Sequence, residues 1–179
     1  MRMIFFTLLS VFIANNLLAQ HKVSLYINAG LAVPVGQLAS TNQVGGGMSV
    51  LAAKSLNNHL SIVAEPSIMS MVGTQQHGIK YVSRQLFSFT AGARYYMNLL
   101  PGKVLWYSQL KAGIHTDKGY AGPSFEGGLG CLMYPTTTRL DLSLRYQENL
   151  QKKELYHTRF FSLKVGYLLR FKHIRRQKA

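Results

Sequence analysis

Cysteine is almost absent from this chain of 179 residues: Cys131 stands alone, so no internal disulfide forms and no redox compartment can be read from cysteine pairing. Acid is scarce too. Six Asp and Glu face twenty Lys and Arg, a formal net charge of +14. Such an excess points to an anionic partner: nucleic acid, phospholipid headgroups or lipopolysaccharide. After the N-terminal segment no apolar run is long enough for a membrane helix, because Gly, Pro or charged residues interrupt each one. If that remainder crosses a membrane it crosses as a closed barrel, since lipid offers no partner to open backbone groups. A helical period is also missing there. Disorder is excluded, because 47% hydrophobic residues with 16 Gly and 10 Tyr is the composition of a folded domain.

The chain begins with a basic start at Arg2, an apolar run from Ile4 to Ala14 and a small residue, Ala19, at a cleavage point. That is the layout of a secretory signal peptide. The expected division is a signal peptide over residues 1–19, a barrel over 20–171 and a basic tail over 172–179. No cysteine flanks the cleavage point, which argues against a lipoprotein anchor. Export takes nucleic acid out of the set of partners.

Period-two alternation fills the remainder, and it is cleanest from Arg139 to Tyr146. There Leu140, Leu142, Leu144 and Tyr146 alternate with Arg139, Asp141, Ser143 and Arg145, a strand with two unlike faces. Similar runs cover about 21–33, 60–71, 83–96, 104–115, 123–134 and 161–171, and 45–55 gives an eighth in which the outward parity is not legible. Each has about the 9–11 residues a tilted strand needs to cross a bilayer. The polar stretches Thr116–Gly122 and Gln147–Thr158 read as loops. Connections after the second, fourth and sixth strands read as short, and the others as longer. This is the plan of an all-β, eight-stranded antiparallel up-and-down transmembrane β-barrel.

Which face meets lipid follows from the polar parity. It holds Glu65, Arg94, Lys111, Glu126, Arg139, Asp141, Arg145, Lys164 and Arg170, interleaved with Gly30, Gly92, Gly113, Gly128, Gly130 and Gly166. Long charged chains beside glycines suit an eight-stranded interior, just wide enough for its own side chains. Phe87, Phe89, Leu140, Leu142, Leu144, Leu163 and Val165 are then the membrane-facing set. Tyr95, Tyr96, Trp106 and Tyr134 fall near the short-turn ends, and Tyr81, Tyr120, Tyr156, Phe160 and Phe161 near the long-loop ends, as two interfacial belts.

At this point the chain resembles the eight-stranded outer-membrane β-barrel family of OmpA/OmpX type. The matching segments are Leu17-Leu18-Ala19-Gln20, Gly30-Leu31-Ala32-Val33-Pro34-Val35-Gly36, Ala64-Glu65-Pro66-Ser67, Ala91-Gly92-Ala93-Arg94-Tyr95-Tyr96, Ala121-Gly122-Pro123-Ser124 and a final strand ending at Phe171. The resemblance implies an integral protein of a Gram-negative outer membrane, inserted by the barrel-assembly machinery, which reads a terminal strand ending in an aromatic. Here a basic octapeptide follows Phe171, a departure from that pattern.

No catalytic, cofactor-binding or metal-binding residue is expected. The lumen charges read as a structural salt-bridge lattice. His77, His115 and His157 fall near the long-loop rim without the spacing of a metal site or a nucleophile–base pair. Cys131, on the apolar parity, reads as a lipid-facing filler. Gly127-Gly128-Leu129-Gly130 has no following helix and is a strand feature. The expected function is a non-enzymatic outer-membrane barrel with a plugged lumen and a structural or surface-contact role. Its partners would be membrane lipids, lipopolysaccharide, the assembly machinery and an extracellular ligand at the loops. The alternatives are a soluble exported barrel carrying an apolar ligand, with the Leu140 parity turned inward, a lipid A-modifying enzyme, and a small pore. The basic tail would solvate the terminus or bind anionic headgroups.

Overall fold

Alternation of this regularity closes into one wall. A computed structural model describes residues 23–76, 78–97, 104–117, 119–133, 139–150 and 157–169. The expected signal peptide and basic tail, with Arg170, Phe171, His77, Tyr134 and Tyr156, lie outside the described residues. The barrel strands are β1 (Val23–Val35), β2 (Asn42–Ser55), β3 (Leu60–Gly73), β4 (Arg84–Met97), β5 (Val104–Asp117), β6 (Tyr120–Met133), β7 (Leu140–Asn149) and β8 (Thr158–Leu169). Each pairs antiparallel with its sequence neighbours, and β1 pairs with β8, so no edge is left open.

Tracing paired residues once around the wall, from His115 through Ser88, Ser67, Ser49, Asn28, Gly166, Asp141 and Leu132, returns to β5 at Leu105. A stagger of this kind goes with strands tilted roughly 35–45° to the barrel axis.

The elements differ from the sequence reading in several places. The loop expected over Thr116–Gly122 is absorbed into strands: Thr116 and Asp117 end β5, Tyr120–Gly122 open β6, and Gly119 turns the chain at φ 85°. A left-handed residue lets so tight a turn close, and glycine adopts it without a Cβ clash. The fifth connection is therefore the tightest of all, against the expectation of a long one. β7 likewise continues through Gln147, Glu148 and Asn149 before its loop begins. Most strands run to 12–14 residues, longer than the minimum, because polar residues continue the ladder beyond the depth of a bilayer core. The first connection carries a five-residue helix, α1 (Gln37–Thr41), where no helix was expected. It is too short to show a period in sequence, and Leu38 is its one buried residue. The third connection holds a small hairpin, Gln75–Gln76 with Ile79–Lys80. Pro66 sits inside β3, and the β2–β3 ladder is interrupted opposite it, between Ser49–Ser67 and Ala52–Ala64, as a missing N–H requires.

Candidate functional site

The interior is where the chemistry of this chain is concentrated, and it is stacked in three layers along the barrel. Glu65, Arg94, Lys111, Glu126, Asp141, Arg145 and Lys164 all point inward and are at most 5% exposed. Glu65, on β3, is the hub. Its Oε1 accepts from Lys164 Nζ at 2.9 Å and from Ser49 Oγ at 2.5 Å. Its Oε2 accepts from Arg145 Nη1 at 2.6 Å and from Lys111 Nζ. Glu126 Oε1 accepts from the same Lys111 at 2.7 Å, the same Arg145 at 3.2 Å and Gln109 Nε2 at 3.1 Å. Gln109 Oε1 then accepts from Arg94 Nη2 at 3.0 Å, and Arg94 Nη1 reaches Asp141 Oδ2 at 2.9 Å. Tyr107 donates to the other oxygen of Asp141, and its ring lies 3.8 Å beneath the Arg94 guanidinium. One connected network thus ties β3, β4, β5, β6, β7 and β8 across the lumen. Buried ions carry a desolvation cost that only good geometry and further hydrogen bonds offset, and these have both.

Glycine makes room for it. A Cβ on Gly30 would lie 2.8 Å from Lys164 Cγ, and one on Gly128 would lie 2.9 Å from Arg145 Cγ. A Cβ on Gly130 would strike the Tyr107 ring. Each long chain lies over a glycine of the adjacent strand.

Apolar layers close the lattice at both ends. Toward the short turns lie Tyr26, Leu51, Ala53, Val63, Tyr96, Tyr107, Leu132 and Leu168. Toward the other rim lie Ala32, Leu38 of α1, Met69, Met71, Leu86 and Phe160. The sequence reading missed these plugs. A signal was present in the doublets Tyr95-Tyr96, Phe160-Phe161 and Leu168-Leu169, because two adjacent apolar residues in a strand cannot both face lipid. Tyr96 and Phe160 therefore leave the expected belts and fill the interior, whereas Tyr95, Trp106, Tyr120 and Phe161 are exposed outward.

Arg139 is a second correction. It is exposed and precedes β7, so it stands at the rim and not in the lattice. Its carbonyl still accepts from Leu168 N of β8 at 3.1 Å, so the ladder reaches it, but its side chain is exposed at the barrel end and not buried in the lumen. Phe87, Phe89, Leu142, Leu144, Leu163 and Val165 face outward and exposed, and Leu140 shares their parity at half burial. β2 presents Val44, Met48 and Val50 outward. Cys131 is on the outward parity but buried, between Trp106 and Leu142 in the register, so it is covered by its neighbours. The soluble-carrier alternative required Leu140, Leu142 and Leu144 inside, and they are on the other face.

His115 and His157 do not converge. His115 points into the lumen, and neither of its ring nitrogens has a hydrogen-bond partner among the described residues. His157 is on the outer rim, 3.9 Å from Glu148 Oε1. Among the described residues no group of three or more His, Cys, Asp or Glu could hold a metal ion.

A closed wall with apolar residues outside and ion pairs inside is inverted relative to a soluble protein, and it defines a transmembrane β-barrel of the outer-membrane kind. No protein-family model matches the sequence, and no curated protein matches it. Solved structures with the same fold include Neisserial surface protein A (TM-score 0.63, 16% identity, 83% of this chain and 97% of that one). The attachment invasion locus protein Ail of Yersinia pestis is similar at TM-score 0.53 and 16% identity, over 83% of this chain and 99% of that one. The outer membrane enzyme PagL is similar at TM-score 0.55 and 10% identity, over 82% of this chain and 99% of that one.

Proposed function

We propose that this chain is a non-enzymatic integral protein of a Gram-negative outer membrane, with a blocked lumen and a rim of loops for surface contacts. The observation that carries this reading is the Glu65-centred lattice between two apolar plugs. A lumen filled across its width by Arg145, Lys111 and Lys164 on one carboxylate leaves no aqueous path, which speaks against the pore. PagL has this fold and is an enzyme, so the case against catalysis rests on the residues. His115 is sealed inside, His157 lies outside the wall, and neither has an activated nucleophile beside it. The outward leucines and phenylalanines are solvated by lipid, with lipopolysaccharide in one leaflet. Insertion falls to the barrel-assembly machinery, with β8 and Phe171 as the terminal signal.

Planar-bilayer recording of the purified folded protein tests the blocked lumen. The expected trace is flat, and a steady open channel would contradict it. Lipid A from cells with and without the gene tests the lack of chemistry: identical mass spectra are expected, and a lost or gained acyl chain would overturn it.

A further inference from the structure

Toward the long-loop rim the interior has two unlike halves. One is the apolar plug of Ala32, Leu38, Met69, Met71, Leu86 and Phe160. The other is polar and dry. His115, Asp117 and Asn149 are buried there. Both ring nitrogens of His115, Asp117 Oδ1 and Asn149 Nδ2 have no hydrogen-bond partner among the described residues. The register sets the halves side by side. Leu86 is paired with Asp117, and Phe160 with Gln147, which shares the inward face of β7 with Asn149. A buried polar group without a partner carries its full desolvation cost. The polar half therefore gains when water enters, and the plug keeps water out.

One part of the plug does not belong to the wall. Leu38 is on α1, whereas the other five residues are on barrel strands. α1 is tied down at its C-terminal end, where Thr74 N donates to Thr41 O at 2.9 Å and Thr74 Oγ1 to Ser40 O at 3.4 Å. At the other end, among the described residues, Gln37 and Leu38 are hydrogen-bonded only within the α1 segment, to Ser40, Thr41 and the Asn42 N–H. Gly36 joins that end to β1 at φ 63°, a left-handed value that glycine adopts without a Cβ clash. A helix of five residues has too few internal bonds to hold itself in place. The burial of one leucine is what keeps it down.

We propose that α1 is a lid on the long-loop mouth. It swings between Gly36 and the Thr41–Thr74 anchor, lifts Leu38 out of the plug, and admits water to His115, Asp117 and Asn149. The opening ends at the Glu65 lattice, so the mouth wets while the lumen stays blocked. Burial of Leu38 closes the lid and hydration of the unpartnered groups opens it.

Diethyl pyrocarbonate, a small water-borne reagent that acylates neutral imidazole nitrogens, reads the lid at His115. The folded protein purified from membranes is labelled briefly, and each histidine is quantified by peptide mass. His157, exposed on the outer rim, is the internal reference. In the unmodified sequence His115 reacts more slowly than His157, yet faster than the barrel unfolds on unboiled gels. Leu38→Ser raises the His115 rate by about tenfold or more, the factor that goes with the burial of one leucine, and leaves His157 unchanged. Leu132→Ala, in the plug at the other end, controls for general loosening and leaves the His115 rate near its starting value. Labelling of His115 only at the rate of global unfolding overturns the lid. So does an equal rise in both variants, which makes α1 a fixed part of the plug. Unboiled gel migration of each variant establishes that it has folded.

Discussion

On β7, Leu142 and Leu144 are one residue away from Asp141, Ser143 and Arg145, and the two sets live in opposite worlds. The outward set is paired across the ladder with Leu129, Leu163, Val165 and Cys131 and faces away from the lumen. It needs only to be apolar and is interchangeable within wide limits. The inward set is held by named atoms at named distances, and a change at Arg145 strands charges on two other strands, at Glu65 and Glu126. The wall is therefore tolerant on one side and exacting on the other, and a period of two separates them.

Removing the hub gives the largest effect. Glu65→Gln leaves Lys111, Arg145 and Lys164 buried with one acid, Glu126, between them. Breaking a buried pair from one side costs about 3–5 kcal/mol, and here three pairs share the lost charge. Denaturant unfolding in lipid vesicles, followed by Trp106 fluorescence, measures it. Putting a charge on the tolerant face comes next. Leu144→Arg places a cation at mid-wall, and the expected loss is about 2–4 kcal/mol, read as a reduced folded fraction on vesicle insertion. Leu144→Phe should be close to neutral by the same assay.

Two adjacent glycines sharpen the contrast. Gly128 faces inward, and a Cβ there would meet Arg145 Cγ at 2.9 Å with backbone atoms close behind. Gly127 faces outward, and the nearest atom is the flexible Leu110 Cδ2 at 3.3 Å. Gly128→Val should cost about 1–3 kcal/mol as an overpacked site, and Gly127→Val clearly less, in paired unfolding curves. The smallest effect belongs to the rim: Glu148→Gln breaks an exposed pair with Arg159 and should change stability by at most about 1 kcal/mol.

Much of this wall was legible because one physical rule, alternation, wrote most of it. Leu140 to Tyr146 declared both faces unaided, and Glu65, Lys111 and Arg145 were on the polar parity before any register was known. β2 was not legible because neither of its parities is distinct. Gly45, Gly47, Ser49, Leu51 and Ala53 point in, and Val44, Gly46, Met48, Val50 and Ala52 point out. Its facing is set by pairing with Asn28 on one side and Ser67 on the other. The apolar plugs were hidden for a related reason. Val63, Met71 and Leu132 look like lipid-facing residues by type, and only their place in the period turns them inward. Arg139 obeyed the period but sits on the last rung, where its side chain is exposed at the rim. The pairing of Glu65 with Lys164, far apart in sequence, is a product of closure between β1 and β8, which no local pattern encodes.

The central claim is that this barrel stands in a membrane with its leucines outside. Alkaline carbonate extraction of the membrane fraction, followed by gel migration of boiled and unboiled samples, addresses it most directly. The account predicts that the protein stays in the pellet and that the unboiled form migrates differently from the boiled one. Release into the carbonate supernatant would contradict it.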